Sequence, residues 1–156
     1  MGAVESRLAE AGLTLPKVAT PVAAYVPALR EGDLVFTSGQ LPMVDGALTA
    51  TGKVGDGEGL VDAETAKGLA QTCALNAIAA IGSVVDLDTV TRVVKVVGFV
   101  ASDPTFTGQP GVINGASELF ALAFGEAGAH ARSAVGVATL PLDAPVEVEV
   151  IVSVAG

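Results

Sequence analysis

The clearest periodic pattern along the chain predicts a long helix that begins at Ala63. Apolar residues recur there every three or four positions, which is the spacing of one helix face: Ala66, Leu69, Ala70, Cys73, Ala74, Ala77, Ile78 and Ile81. The same spacing predicts a second helix over Val112 to Phe124, before Gly125. A shorter amphipathic segment, Glu5 to Ala11, predicts an N-terminal helix that ends at Gly12.

Runs rich in β-branched residues predict four strands: Leu34 to Thr37, Arg92 to Ala101, Ala131 to Ala138 and Val146 to Val154. In the last run valines alternate with Glu147, Glu149, Ile151 and Ser153, so one face of that strand is apolar. The second run is almost continuously apolar, which indicates a strand covered on both sides, by a helix and by a partner.

The segments between these runs carry turn and loop signals. Asp45-Gly46 has the residues of a tight turn and predicts a first hairpin that includes the 34–37 strand. Thr49 to Gly59 contains four glycines and few apolar residues, so a loop is expected that stays mobile until something covers it. Pro16 and Pro21 favour an extended approach to the main domain.

The predicted order of elements is ββαβαββ, which is typical of an α+β fold with a mixed sheet and its helices on one face. The other sheet face is apolar and lacks a predicted cover, so self-association is expected. At 156 residues the chain fits one domain, with an N-terminal helix and extended lead-in over 1–20 and the main domain over 21–156.

Composition narrows the classes of partner. Hydrophobic residues make up 51% of the chain and aromatic residues only 4%, so the core is expected to consist of Val, Ala, Leu and Ile. Eight Lys and Arg against 17 Asp and Glu give a formal net charge of -9, and the cations do not cluster. Such a surface repels a phosphate backbone, so no nucleic-acid partner is expected.

The N-terminal residues and the cysteine content favour a cytoplasmic location. The first dozen residues carry charges where a signal peptide needs an apolar stretch, and no apolar run is long enough to span a bilayer, so no membrane partner is expected. Cys73 is the only cysteine and lies within a helical pattern, which indicates a core residue rather than a disulfide or metal ligand.

Four segments of the chain match one family pattern in the right order. They are Tyr25 in PVAAYVPA, LVFTSGQLP at 34–42, VVKVVGFVASDPTF at 93–106 and ARSAVGVATLPLDAPVEVEVI at 131–151. Together they resemble the RidA/YjgF family of reactive-intermediate deaminases. The resemblance implies a chorismate-mutase-like fold and a homotrimer whose sheets close into a central barrel. It also implies interface pockets that hydrolyse 2-imino acids and enamines without a cofactor.

Arg132 and Glu147 are the candidate catalytic residues. The resemblance implies that Arg132 binds the substrate carboxylate, for which its planar fork of donors is well shaped. The alternative for Arg132 is a strand-end arginine paired with a surface acid. The resemblance assigns Glu147 to the water-handling position, where burial would raise its pKa toward neutrality. The alternative is that Glu147 is simply a solvated side chain without a catalytic role. Glu149, on the same strand face, is interpreted as structural.

The resemblance adds four candidate substrate-binding residues: Tyr25, Ser38, Gly39 and Asn114. Hydroxyl groups of the kind that Tyr25 and Ser38 carry can bond a carboxylate or an imine nitrogen. A tyrosine at a rim, a serine at a strand end and an asparagine in a local backbone hydrogen bond are the alternatives. His130 is the only histidine, and no metal-ligand cluster accompanies it, so neither a metal site nor a general-base role is expected.

Two functions are compatible with these residues. One is an imine or enamine deaminase. The other is a non-catalytic trimer of the same fold that binds a small carboxylate. The second is favoured by Ala134, which stands where the family often has a cysteine, and by Ala23-Ala24, which replace the usual Gly-Pro before the tyrosine. Fold alone does not distinguish them.

Overall fold

The structure is a computed structural model that describes residues 1–18 and 24–156. The predicted domain boundary after residue 20, Pro21 and Ala23 lie outside the described residues. Within them the helices are α1 (Ala3–Glu10), α2 (Ala63–Gly82) and α3 (Gln109–Phe124). The strands are β1 (Ala28–Glu31), β2 (Leu34–Thr37), β3 (Met43–Val44), β4 (Ala47–Leu48), β5 (Val90–Ala101), β6 (Ala131–Val137) and β7 (Val146–Val154). All three predicted helices and all four predicted strands are therefore confirmed.

Five strands form one mixed sheet in the order β1-β2-β7-β5-β6. The β5 and β6 strands are parallel and are joined through α3, whereas the other neighbours pair antiparallel. Parallel neighbours need a crossover connection of this length, and a helix supplies it. The predicted α+β class with a mixed sheet is confirmed.

The predicted first hairpin is wrong in its pairing. The β2 strand pairs with β1 across Gly32 and Asp33, whereas Asp45-Gly46 closes β3 and β4 into a separate two-stranded sheet. The β1 strand gave no alternating pattern because three of its four residues are exposed at the sheet edge. Asp45 and Gly46 both have positive φ, as their predicted tight turn requires.

Helices α2 and α3 cover one face of the sheet. Val146, Val148, Val150, Val152 and Val154 of β7 are buried beneath them. The α3 helix approaches so closely that a Cβ atom on Gly98 would overlap the Ile113 side chain. Cys73 is fully buried in this core, and burial raises the pKa of its thiol well above the ordinary value.

The opposite side of the sheet is called the open face here, because no element of the described chain packs on it. Its apolar side chains are exposed or half-buried: Leu29, Leu34, Phe36, Val97, Phe99, Val135 and Ile151. Alternation along each strand explains this pattern, since every second residue points away from the helices. The prediction of an uncovered apolar face is therefore confirmed for a single chain.

The glycine-rich segment 49–59 is a loop, as predicted, but backbone hydrogen bonds at Gly52 and Val54 anchor it. Val54 is fully buried, and its N–H donates to the Ala101 carbonyl over 2.7 Å. Its carbonyl accepts from the Asp103 N–H over 2.9 Å. The expectation of a mobile segment overlooked these bonds, which attach the loop to the end of β5 whether or not anything covers it.

The N-terminal helix packs against the domain. Val4 and Leu8 of α1 are buried, and the Asp88 carboxylate accepts hydrogen bonds from the Val4 and Ala3 backbone N–H groups over 3.1 and 2.8 Å. These two bonds lower the pKa of Asp88. Within ranges 1–18 and 24–156, the helices are too short or too polar to cross a bilayer.

Candidate functional site

Glu147 lies on the open face near the start of β7. It alternates with the fully buried Val146 and Val148 and pairs in register with Phe99 of β5. Partial burial raises the pKa of the Glu147 carboxyl, and the negative charge of Glu149 adds to the rise. A carboxylate whose pKa is raised in this way is a suitable proton acceptor near neutral pH.

Gly39 passes directly beside the Glu147 carboxylate. A Cβ atom at position 39 would overlap the Oε1 atom of Glu147, so any larger residue would displace the carboxylate from this position. Gln40 holds the segment in place through two backbone hydrogen bonds with Val148, of 2.8 and 3.0 Å. The predicted residues Gly39 and Glu147 are therefore brought together by β2 and β7.

Ser38 precedes Gly39 in the chain, and it contacts the segment that follows Tyr25. The Ser38 hydroxyl donates to the Val26 carbonyl over 2.6 Å, and the Ser38 N–H donates to the Pro27 carbonyl over 2.8 Å. The serine proton is thus engaged with backbone, which leaves its oxygen lone pairs as acceptors. Tyr25 precedes this contact directly in sequence, and its side chain is 59% exposed. We call Tyr25, Ser38, Gly39 and Glu147 the carboxylate group.

Arg132 lies on the opposite side of the sheet. It pairs in register with Val96, which is buried beneath the helices. Its Nη1 donates to the Ser117 Oγ over 3.2 Å, and its Nη2 donates to the Pro110 carbonyl over 3.1 Å. In the described chain the ion pairs join other residues, so the alternative of an arginine paired with a surface acid is not what the structure shows.

Asn114 lies on α3 between the two residues that contact Arg132. It follows Pro110 by four positions and precedes Ser117 by three, so all three share one side of the helix. The side chain of Asn114 is half-buried. The structure therefore brings two of the predicted binding residues, Asn114 and Arg132, to the same part of the molecule.

Ser117 was not predicted, and the contacts of His130 were not foreseen. The His130 Nε2 lies 2.8 Å from the Ser117 Oγ, and its Nδ1 lies 2.6 Å from the Gly128 carbonyl oxygen. The only sequence signal was the position of His130 two residues before Arg132. We call Asn114, Ser117, His130 and Arg132 the guanidinium group.

The two groups do not meet within one chain. Arg132 is in register with Val96 on the helix-covered face, whereas Glu147 is in register with Phe99 on the open face. They are three residues apart along β5 and on opposite sides of the sheet. Among the residues that the structure describes, no cluster of three or more His, Cys, Asp or Glu side chains is placed to hold a metal ion.

Two known proteins are similar to this chain over nearly its whole length. Protein TCP17 of Trypanosoma cruzi is 44% identical over 97% of this chain and 94% of its own length. A putative endoribonuclease from Shewanella oneidensis has a similar crystal structure, with a TM-score of 0.91 and 29% identity over 98% of this chain and 100% of that one.

A further solved structure contains a small molecule. The crystal structure of Escherichia coli TdcF with bound serine has a TM-score of 0.56 and 26% identity, and it covers 90% of this chain and 94% of TdcF.

The expectation of no nucleic-acid partner gains no support from the comparisons, because the name endoribonuclease recurs among them. The model of one family, Endoribonuclease L-PSP, matches residues 5–154, and the chain therefore belongs to that family, which is the RidA/YjgF family.

Proposed function

We propose that this protein hydrolyses small 2-imino acids and their enamine tautomers to 2-keto acids and ammonia. The observation that carries the proposal is that one chain contains both an ordered guanidinium and a half-buried carboxylate of raised pKa. The first group suits the carboxylate of such a substrate, and the second suits the activation of water. TdcF, which binds serine, is a relative that holds a small molecule with a carboxylate and an α-nitrogen.

The proposed reaction needs only the residues of the chain. Arg132 fixes the substrate carboxylate with parallel hydrogen bonds, which places the C=N carbon relative to a water molecule. Glu147 accepts a proton from that water as its oxygen bonds to the carbon, and the C=N bond becomes a C–N bond. Return of that proton to nitrogen gives a carbinolamine. Transfer of the remaining hydroxyl proton to nitrogen then lets the C=O bond form as the C–N bond breaks, so ammonia leaves and the 2-keto acid remains.

The proposed site combines two protomers, because one chain holds Arg132 and Glu147 on opposite sides of its sheet. We propose a homotrimer in which the three open faces pack together into a barrel. The β6 strand is a sheet edge, so the Arg132 of one protomer can lie against the carboxylate group of its neighbour. Closed cyclic assembly also covers an apolar face that the helices leave exposed.

Sedimentation at micromolar concentration is expected to give the mass of a trimer. Replacing Phe36, which is 36% exposed on the open face, with Glu is expected to produce monomers, because three carboxylates would be buried without partners. Replacing Leu122, which is 42% exposed on α3, with Glu is the matched control and is expected to leave the trimer intact. A monomeric parent protein would remove the two-protomer site.

The activity test uses an imine generated in the assay. An amino-acid oxidase produces 2-iminopropionate, semicarbazide traps it, and added protein is expected to lower the trapped yield. An unchanged yield with several imines, together with calorimetric binding of keto acids, would favour the binding protein that Ala134 and Ala24 make conceivable. Cleavage of a labelled RNA at the same protein concentration, without any effect on the imine, would favour the activity for which the family model is named.

Gly39→Ala is expected to reduce turnover about tenfold or more without dissociating the trimer. The new Cβ atom would push the Glu147 carboxylate from its place, since the two cannot occupy the same space. Steady-state rates in the imine assay measure the effect. Gly68→Ala is the control, because a Cβ atom at that helical position meets no other atom. Equal rates for the two variants would contradict the role of Gly39.

A further inference from the structure

We infer that Ser117 and His130 are positioning residues, which hold the Arg132 guanidinium in the orientation that receives a ligand carboxylate. Four groups form a continuous hydrogen-bonded chain: the Gly128 carbonyl, His130, Ser117 and Arg132. The inference rests on the proposed function for the identity of the ligand. The geometry of these hydrogen bonds does not depend on that function.

The carbonyl at one end and the guanidinium at the other fix the directions of the two outer bonds, and the direction of the middle bond follows when the ring carries a single proton. A carbonyl oxygen only accepts, so the His130 Nδ1 carries a proton and donates to Gly128 over 2.6 Å. The Nε2 of the neutral ring is then an acceptor, and the Ser117 hydroxyl donates to it over 2.8 Å. The Ser117 oxygen keeps its lone pairs for the Arg132 Nη1, which donates over 3.2 Å.

Tight packing holds the Gly128 and His130 end of this row of hydrogen bonds. Gly128 is buried, and a Cβ atom there would lie 2.5 Å from the Phe120 carbonyl oxygen, so its backbone has little freedom to move. The His130 ring meets the Phe120 ring edge-on, with 6.0 Å between centroids and an interplanar angle of 81°. These contacts restrict both the tautomer and the tilt of the imidazole.

The guanidinium is thereby fixed at two points of α3. Ser117 receives Nη1, and the Pro110 carbonyl, two helical turns earlier, receives Nη2. A planar group held at both terminal nitrogens cannot rotate about its long axis, and an arginine held in this way loses less entropy when it binds a carboxylate. Removal of Ser117 leaves one anchor, so the loss is expected in affinity rather than in the chemical step.

The test compares three variants of the protein. Ser117→Ala removes the hydroxyl, Ser117→Thr keeps a hydroxyl, and Thr72→Ala removes a helical hydroxyl that donates to the Gly68 carbonyl of its own helix. With pyruvate as the probe in calorimetry, we expect Ser117→Ala to raise the Kd about tenfold, the effect of one hydrogen bond to a charged group. We expect Ser117→Thr and Thr72→Ala to stay within about twofold of the parent.

Kinetics separate positioning from chemistry. In the imine assay Ser117→Ala is expected to raise KM about tenfold and to change kcat by less than about threefold. A fall in kcat at unchanged KM would overturn the inference and would place Ser117 in the chemical step. Parental KM and Kd values for Ser117→Ala would overturn it as well, because the hydroxyl would then have no effect on Arg132.

Nuclear magnetic resonance of the ring and guanidinium nitrogens tests the geometry without any ligand. The parent protein is expected to show His130 protonated at Nδ1, and Ser117→Ala is expected to shift Nε2 and to speed the rotation of the Arg132 guanidinium. Unaltered signals in that variant would overturn the inference. If the parent binds no keto acid and hydrolyses no imine, the proposed function fails, and this experiment alone decides whether the chain of bonds holds Arg132.

Discussion

Replacing Arg132 with lysine is expected to weaken the binding of small keto acids about a hundredfold or more while the protein stays folded. Lysine keeps the positive charge, but its three donors diverge from one nitrogen, so it cannot form two parallel bonds to a carboxylate or replace the separate bonds of Nη1 and Nη2 to Ser117 and Pro110. Isothermal calorimetry with pyruvate measures the loss. Sedimentation of the same sample checks the assembly.

Arg92→Lys is the matched control for this experiment. Arg92 lies on the neighbouring strand β5, and its Nη1 also donates to backbone carbonyls, those of Glu126 and Ala129 at 3.4 and 3.2 Å. It therefore tests the same chemical change at a position outside the proposed site. Parental affinity in a folded Arg132→Lys variant would show that Arg132 only supports α3, and the carboxylate would then have to bind elsewhere.

Sequence periodicity predicted the helices and most strands because each of these elements buries one side. The α2 helix follows the three-and-four spacing along its length, and β7 alternates strictly between buried and half-buried residues. The β1 strand escaped because its residues are mostly exposed at a sheet edge. Its pairing with β2 depends on the turn at Gly32, which carried a weaker signal than Asp45-Gly46.

The sequence supplied candidate residues for the site but not their arrangement. The resemblance supplied Arg132 and Glu147 as candidates, and alternation placed Glu147 on the face away from the β7 valines. The register between β5 and β6 puts Arg132 on the other side of the sheet, and a linear sequence does not contain that register. Ser117 was missed for the same reason, because its role depends on how α3 packs against β6.

Equal spacing also concealed the difference between the two glutamates of β7. Glu147 and Glu149 share one strand face, so periodicity alone gives them the same status. Gly39 lies against the carboxylate of Glu147, and partial burial raises the pKa of that carboxyl. The physical distinction is thus the close approach of a segment more than a hundred residues away in sequence, which local patterns do not report.

Glu147→Gln is expected to lower imine turnover about a hundredfold or more and to change keto-acid affinity little. The amide preserves the size of the side chain and much of its hydrogen bonding, but it cannot accept the proton of the attacking water. Rates in the semicarbazide competition assay and calorimetry with pyruvate separate the two effects. Glu149→Gln alters the neighbouring carboxylate and is expected to leave the maximal rate near that of the parent.

The pH dependence distinguishes the two glutamates further. If Glu147 is the base, kcat/KM rises with pH as this carboxyl ionises, and its raised pKa places that rise above the range of an ordinary glutamate. Glu149→Gln removes a negative charge that raises the pKa of Glu147, so the rise is expected to move to lower pH. An unmoved profile, or an inactive Glu149→Gln variant, would contradict the assignment.

Stability gives an independent check on the same carboxyl. A raised pKa means that the folded protein holds the Glu147 proton more tightly than the unfolded chain does, so ionisation destabilises the fold as pH rises through the unfolded and then the folded pKa. Glutamine cannot ionise, and Glu147→Gln is therefore expected to melt at a higher temperature than the parent at neutral pH. The difference is expected to vanish in acid, where Glu147 is protonated in both states.

A variant that gains stability while it loses turnover would show that Glu147 is retained for chemistry and not for the fold. Equal melting temperatures at neutral pH would mean that the carboxylate is too well solvated to serve as the proposed base.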